Sequence, residues 1–290
     1  MKIRSLTLVS AVLMILLSCS KDTPPAPQPG AKLIIKFKFN KTQARLNNLG
    51  EPSAIPEGNA AQTPKFNFIS SHYIELAQTA TTLLGDGDII YQGKETNAGG
   101  SKAIDFNQAI LVEENEEFIS VPLKSVEPGI YNWVRVSLSY QEYEINVLND
   151  GVDYTGTLAS FVGYNNYITS FDLNGNAIVV NNNKLQGFWA FETQGLTFEG
   201  QAPEGATTVP NPLFNTSPIP QGSCVVTGQF EDGLTITGNE THNIEITLSL
   251  SINNSFEWVE VNEDGKYEPS AGEQVVDMGL RGLIPSANIQ

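Results

Sequence analysis

Cysteine is almost missing from this chain: two occur in 290 residues, Cys19 and Cys224. A fold stapled by disulfides is thereby excluded. Histidine is confined to His72 and His242, and a zinc or copper centre built on imidazole needs at least two that converge. Cations are outnumbered two to one, 16 Lys and Arg against 32 Asp and Glu, giving a formal net charge of −16. The Lys and Arg residues are scattered singly, so there is neither a basic stripe for nucleic acid nor a polybasic cluster for anionic lipid. A G-x-S-x-G nucleophile elbow is absent, and Gly85-Asp86-Gly87-Asp88 lacks the Lys and Ser/Thr of a phosphate loop and would repel phosphate. Beyond the first twenty residues no long stretch repeats apolar residues at helical spacing.

The longest hydrophobic run, Leu6 to Leu17, is too short to span a bilayer comfortably, which takes roughly 20 apolar residues. Lys2 and Arg4 precede it and Ser18-Cys19 close it. That order is the order of a secretory signal peptide. Leu16-Leu17-Ser18-Cys19 resembles the lipobox of bacterial lipoproteins, and Cys19-Ser20-Lys21-Asp22 resembles the start of surface lipoproteins of the Bacteroidetes. The resemblance implies removal of residues 1–18, a lipid (diacylglyceryl and palmitate) on Cys19, and an outer-membrane, surface-exposed address in the bacterial envelope. Residues 19–31, with Pro24, Pro25, Pro27 and Pro29, read as an extended tether, because proline fixes φ and removes a backbone donor.

The remainder alternates. Leu33 to Phe39 and Ile244 to Ile252 place apolar residues at every second position, the period of a half-buried strand. Ile130 to Tyr143 is a third such run, with Val134, Val136, Leu138 and Tyr140 expected on one face and Tyr131, Trp133 and Arg135 on the other. Phe118–Leu123, Glu127-Pro128-Gly129 and this run read as a hairpin. Further strands are expected at 65–76, 89–92, 104–111, 166–173, 177–180, 187–191, 196–199, 224–230 and 234–237, while 146–163 is left open as a loop or short helix. Many short strands with Gly, Asn and Pro punctuation predict an all-β protein, an antiparallel β-sandwich built as one large or two packed modules. The body is expected over 32–200. A Pro-rich loop or linker follows at 201–222, holding Pro203, Pro210, Pro212, Pro218 and Pro220, and a C-terminal β region runs over 223–290.

Three groups of residues invite chemistry. Glu260, Asn262 and Asp264 alternate, Gly265 can turn, Lys266 can offer a carbonyl, and Glu268 and Glu273 follow. Alternating oxygen donors ahead of a glycine suit Ca²⁺, which takes six to eight oxygens. The run resembles D-x-N-x-D-G calcium loops of EF-hand-like and dockerin-like modules, with Glu260 in place of the first Asp and Ala271 where the twelfth-position Glu is expected. It reads equally as an acidic hairpin turn around Asp-Gly. Tyr131 and Trp133, and Trp189 in Gly187-Phe188-Trp189-Ala190-Phe191, can pack a core or form an exposed aromatic row for a sugar or protein partner. Cys224, His72 and His242 read as ordinary structural residues.

Phe66 to Leu76 with Glu127 to Tyr131 resembles the methanobactin-associated periplasmic protein family, which implies a β-rich envelope fold. With two histidines in the chain the copper association is not carried over. The function expected is a non-enzymatic binding or interaction module for a glycan, protein or small ligand, held to a membrane by its lipid. The alternatives are a metal-associated envelope protein, with structural calcium ahead of copper, and a polysaccharide hydrolase working with two carboxylates.

Overall fold

The computed structural model describes residues 30–47, 49–202 and 223–290. The expected signal peptide, Cys19, most of the expected tether and residues 203–222 lie outside the described residues. The chain is all-β. The strands run β1 (Lys32–Asn40), β2 (Asn59–Gln62), β3 (Lys65–Ala77), β4 (Asp88–Gln92), β5 (Glu95–Thr96) and β6 (Ala103–Asp105). Next come β7 (Glu117–Pro122), β8 (Gly129–Asn149), β9 (Val152–Phe161), β10 (Asn165–Leu173), β11 (Asn176–Leu185) and β12 (Phe188–Thr193). The last are β13 (Leu196–Gln201), β14 (Cys224–Ile236), β15 (Ile244–Ser251), β16 (Phe256–Val259), β17 (Val275–Met278) and β18 (Arg281–Ile289).

A central sheet runs β13-β12-β9-β8-β3-β4, with β14 also paired to β8. Three smaller sheets pack on it: β18-β15-β1-β7, β17-β16-β2 and β11-β10-β6-β5. Most pairings are antiparallel, but β1 runs parallel to β15 and β6 parallel to β10. The C-terminal strands complete sheets begun by the N-terminal ones: β15 pairs β1, and β14 pairs β8.

The 21-residue β8 organises these layers. Regular alternation would put Leu138 and Tyr140 on one face. Instead Tyr140 pairs with Ser70 while Leu138 pairs with Ser71, so Ser139 is an extra residue and a bulge. A bulge inverts every side chain beyond it. Val134, Val136 and Leu138 therefore meet Leu33, Ile35 and Phe37 of the β1 sheet. Tyr140 turns to the opposite face, joining Phe106, Phe161, Ile168 and Phe171 under the β10 sheet. Tyr143 and Ile145 return to the first face and pack with Leu158, Phe256 and Trp258. Each such fully buried side chain contributes about 1.5–3 kcal/mol.

Several sequence expectations are corrected. Phe118–Leu123 and the Ile130 strand are not a hairpin: β7 pairs with β1, and the 3-10 turn Leu123–Ser125 carries the chain across to the central sheet. The expected strand 104–111 stops at Asp105, whose carboxylate accepts the Asn107 N–H and starts the 3-10 turn Phe106–Gln108. Residues 146–163 are strand on both sides of a tight turn, with Asp150 and Gly151 at positive φ. Tyr131 does not share an exposed row with Trp133. It lies in the same core as Val134, where extra β14 residues between Gln229 and Leu234 break the alternation.

Candidate functional site: an uncharged aromatic cleft

The far ends of β8 and β9, together with β12 and β13, present a row-by-row apolar surface. Phe198 lies opposite Phe191, which lies opposite Leu158; Trp189 lies opposite Gly200; Val147 lies opposite Tyr154. Residues directly opposite in antiparallel strands share a face. Two glycines let large rings lie down on that surface. A Cβ at Gly200 would run into the Trp189 indole, and a Cβ at Gly156 would run into the Phe191 ring. Neither glycine has a positive φ, so both are required by space and not by backbone conformation.

Facing this surface is the β16–β17 hairpin with its long acidic loop. Phe256 lies opposite Met278, and Trp258 opposite Val275. Tyr267 packs edge-on to Phe256 at 5.1 Å and tilts over Trp258 at 5.6 Å. The loop is tied to the central sheet where the Leu148 N–H donates to the Tyr267 carbonyl at 2.7 Å and Lys266 Nζ pairs with Asp153 at 3.0 Å. Between the two walls lies a cleft of about 810 Å³, inside the roughly 300–1,000 Å³ range of small-molecule sites.

The chemistry of the lining is its main property. Aromatic rings come from Tyr154, Trp189, Phe191, Phe198, Phe256 and Tyr267. Aliphatic and thioether groups come from Ile145, Val147, Leu158, Leu196, Val275 and Met278. Polar side chains are Asn149, Thr193, Gln194, Gln201 and Gln274. The lining holds no Asp, Glu, Lys, Arg or His. Burial and the nearby Glu273 push the Tyr267 phenol up to about 12, so it is a neutral donor.

The loop's acidic residues act on the loop itself. Buried Glu273 accepts the Val261 N–H at 3.2 Å and the Glu268 N–H at 2.6 Å. Glu260 accepts the Trp258 indole N–H at 3.2 Å and the Asp264 N–H at 3.3 Å. Asp264 accepts the Lys266 N–H at 2.9 Å, and Asn262 Nδ2 donates to Glu268 at 2.7 Å. Glu263 and Gly265 make the turn with positive φ. Among the described residues no three His, Cys, Asp or Glu side chains come together as metal ligands do.

Two of the three aromatics singled out in the sequence, Tyr131 and Trp133, do not line the cleft. Tyr131 is 2 % exposed and donates its hydroxyl to the Glu127 carbonyl at 2.7 Å, while Trp133 is half-buried. Trp189, also singled out there, does line it. Tyr154, Phe198 and Tyr267 were missed. Phe198 had a readable signal, since Leu196 and Phe198 alternate directly after the Gln194-Gly195 turn; they remain 62 % and 51 % exposed.

His72 is fully buried on the central sheet, and neither ring nitrogen makes a hydrogen bond. Its Nε2 lies 3.4 Å from Glu95, whose oxygens accept the Tyr164 hydroxyl at 2.8 Å and Lys102 at 2.7 Å. Desolvation lowers its pKa to about 4, against the raising effect of Glu95 and with the help of Lys102. His242 is exposed and meets Thr241 at 2.9 Å; Cys224 is half-buried against the first core.

No family model matches the chain, and neither a curated protein nor a solved structure matches it.

Proposed function

We propose that this chain is a non-enzymatic binding module of the bacterial envelope, held there by lipid on Cys19, and that its cleft takes an uncharged, largely apolar small ligand. The observation that carries the reading is the lining: aromatic and aliphatic walls with five amide or threonine side chains, two tyrosine hydroxyls, and no carboxylate, amine, guanidinium or imidazole. General acid–base and nucleophilic chemistry is most often carried by a carboxylate, imidazole, amine or thiol, and the lining holds none of these. Hydrolysis by a pair of carboxylates needs both to flank one bond, and the lining offers neither. What remains is burial of apolar ligand surface, with orientation from Asn149, Thr193, Gln194 and Gln274.

The neutral fluorophore N-phenyl-1-naphthylamine tests it. The probe should brighten on adding the protein, and Phe198→Glu should weaken that binding about tenfold or more by placing a carboxylate in an apolar wall. Phe198 is half exposed, so the substitution leaves the folded core intact. A probe that stays dark, or binds the variant equally well, ends this reading. For the address, the mass of the first peptide from native material should show acylated Cys19; an unacylated terminus removes the anchor.

A further inference from the structure

The cleft is free of charge although carboxylates crowd its neighbourhood. Asp153 precedes Tyr154, Glu192 stands between Phe191 and Thr193, and Glu199 follows Phe198. Glu268 stands between Tyr267 and Pro269, Glu273 precedes Gln274, and Asp277 precedes Met278. Strand alternation explains the pattern for β9, β12 and β13, where the neighbour of an inward residue points the other way; in β17 the extra residue Val276 puts Val275 and Met278 on one face and Asp277 on the other. The carboxylates thus lie close to the lining without being part of it. Lys266 offsets one of them through its ion pair with Asp153. Glu273 and Glu192 are tied down by backbone N–H groups, of Val261 and Glu268 for the first and of Gly195 for the second. Glu199 and Asp153 are exposed, and Glu199 lies in the row of Ala190 and Ala159 on the other face of the sheet. Carboxylates still outnumber the one lysine around this low-dielectric cleft, and a net negative surround disfavours an anion that enters.

Two ligand classes fit such walls differently. A buried oligosaccharide would need a hydrogen-bond partner for each hydroxyl it withdraws from water, and five amide or threonine side chains with two tyrosine hydroxyls, set among so many apolar groups, do not provide that. A hydrocarbon tail needs none, and every methylene placed against Leu158, Leu196, Val275 and Met278 gains from burial. Met278 adapts its shape to an irregular tail. The amides of Gln194, Gln274 and Asn149 line the same cleft and suit a polar head that carries no charge. A carboxylate head would meet the negative field and no cation within the lining.

Resting on the binding reading above, we propose that the cleft binds a single-tailed amphiphile with an uncharged polar head and discriminates against the fatty acid of the same chain length. Displacement of N-phenyl-1-naphthylamine from the purified chain, in detergent-free buffer and below the micelle concentrations, tests it. The competitors are monododecanoylglycerol and dodecanoate. The ester should displace the probe at a concentration about tenfold or more below that of dodecanoate, and high salt should narrow the gap by screening the surrounding carboxylates. The double variant Asp153→Asn with Glu199→Gln should narrow it too, while leaving the ester's affinity within about twofold. Dodecanoate competing as well as the ester, or a gap unaffected by both salt and the double variant, overturns the inference and leaves the binding reading standing. Displacement by neither amphiphile, with the probe still bound, also overturns it. A probe that never binds removes the reading on which it rests.

Discussion

Acidification should unfold this protein partly through one histidine. His72 is held neutral by burial, which outweighs Glu95 3.4 Å from its Nε2, and its pKa falls from the model-peptide 6.5 to about 4. The unfolded chain therefore binds a proton that the folded chain refuses between those two values. Stability depends on pH as the difference in bound protons, so this group's contribution is complete above 6.5 and is lost as pH falls towards 4. One pKa unit is about 1.4 kcal/mol. The loss attributable to His72 is then roughly 1 kcal/mol by pH 5.5 and roughly 3 kcal/mol once pH lies below both values. Many carboxylates titrate over the same range, so the quantity to measure is a difference. His72→Leu removes the titration and fills the site with a side chain that needs no partner, while Glu95 keeps Tyr164 and Lys102. Urea melts of both proteins across this range should give a stability gap, wild type minus variant, that shrinks by the amounts above as pH falls. Two curves that stay parallel from neutral pH down to about 4.5 would refute the argument and mean that the imidazole is solvated or protonated in the folded state.

Glu75 is fully buried, accepting the N–H groups of Gly85 and Gly87 and the Tyr73 hydroxyl, with Arg135 3.9 Å away. Removing either charge alone, by Glu75→Leu or Arg135→Met, should cost about 3–5 kcal/mol in denaturant melts, and the double variant should cost less than the sum; additive losses would mean the two do not interact. In the acidic loop, the oxygens of Glu260, Asp264, Glu268 and Glu273 already accept hydrogen bonds. Saturating Ca²⁺ should accordingly leave the Tm unchanged, whereas a rise of several degrees that Asp264→Ala abolishes would establish a cation site through linkage.

Much of the secondary structure was legible because alternation is a local signal. Leu33–Phe39 and Ile244–Ile252 carry period two on their face, and both are strands over almost those bounds. The acidic run around Asp264-Gly265 was readable as a turn for the same reason: its residues bond to one another within a few positions. The cleft was not legible. It joins β8, β9, β12 and β13 to a hairpin some 60 residues further on, and Tyr267 reaches it only because its loop is fastened back to Leu148.

By itself the sequence determined that the chain is built of strands, that it is strongly acidic, and which side chains alternate within each strand. Only the tertiary structure decided which face each stretch of β8 shows, since one extra residue at Ser139 inverts everything after it. It also decided that β1 would lie parallel to β15, more than 200 residues away, rather than beside its chain neighbours. The physical reason is range. The two-residue period belongs to the backbone of a single strand, whereas register, bulges and the closing of a cleft depend on partners whose distance along the chain no local pattern records.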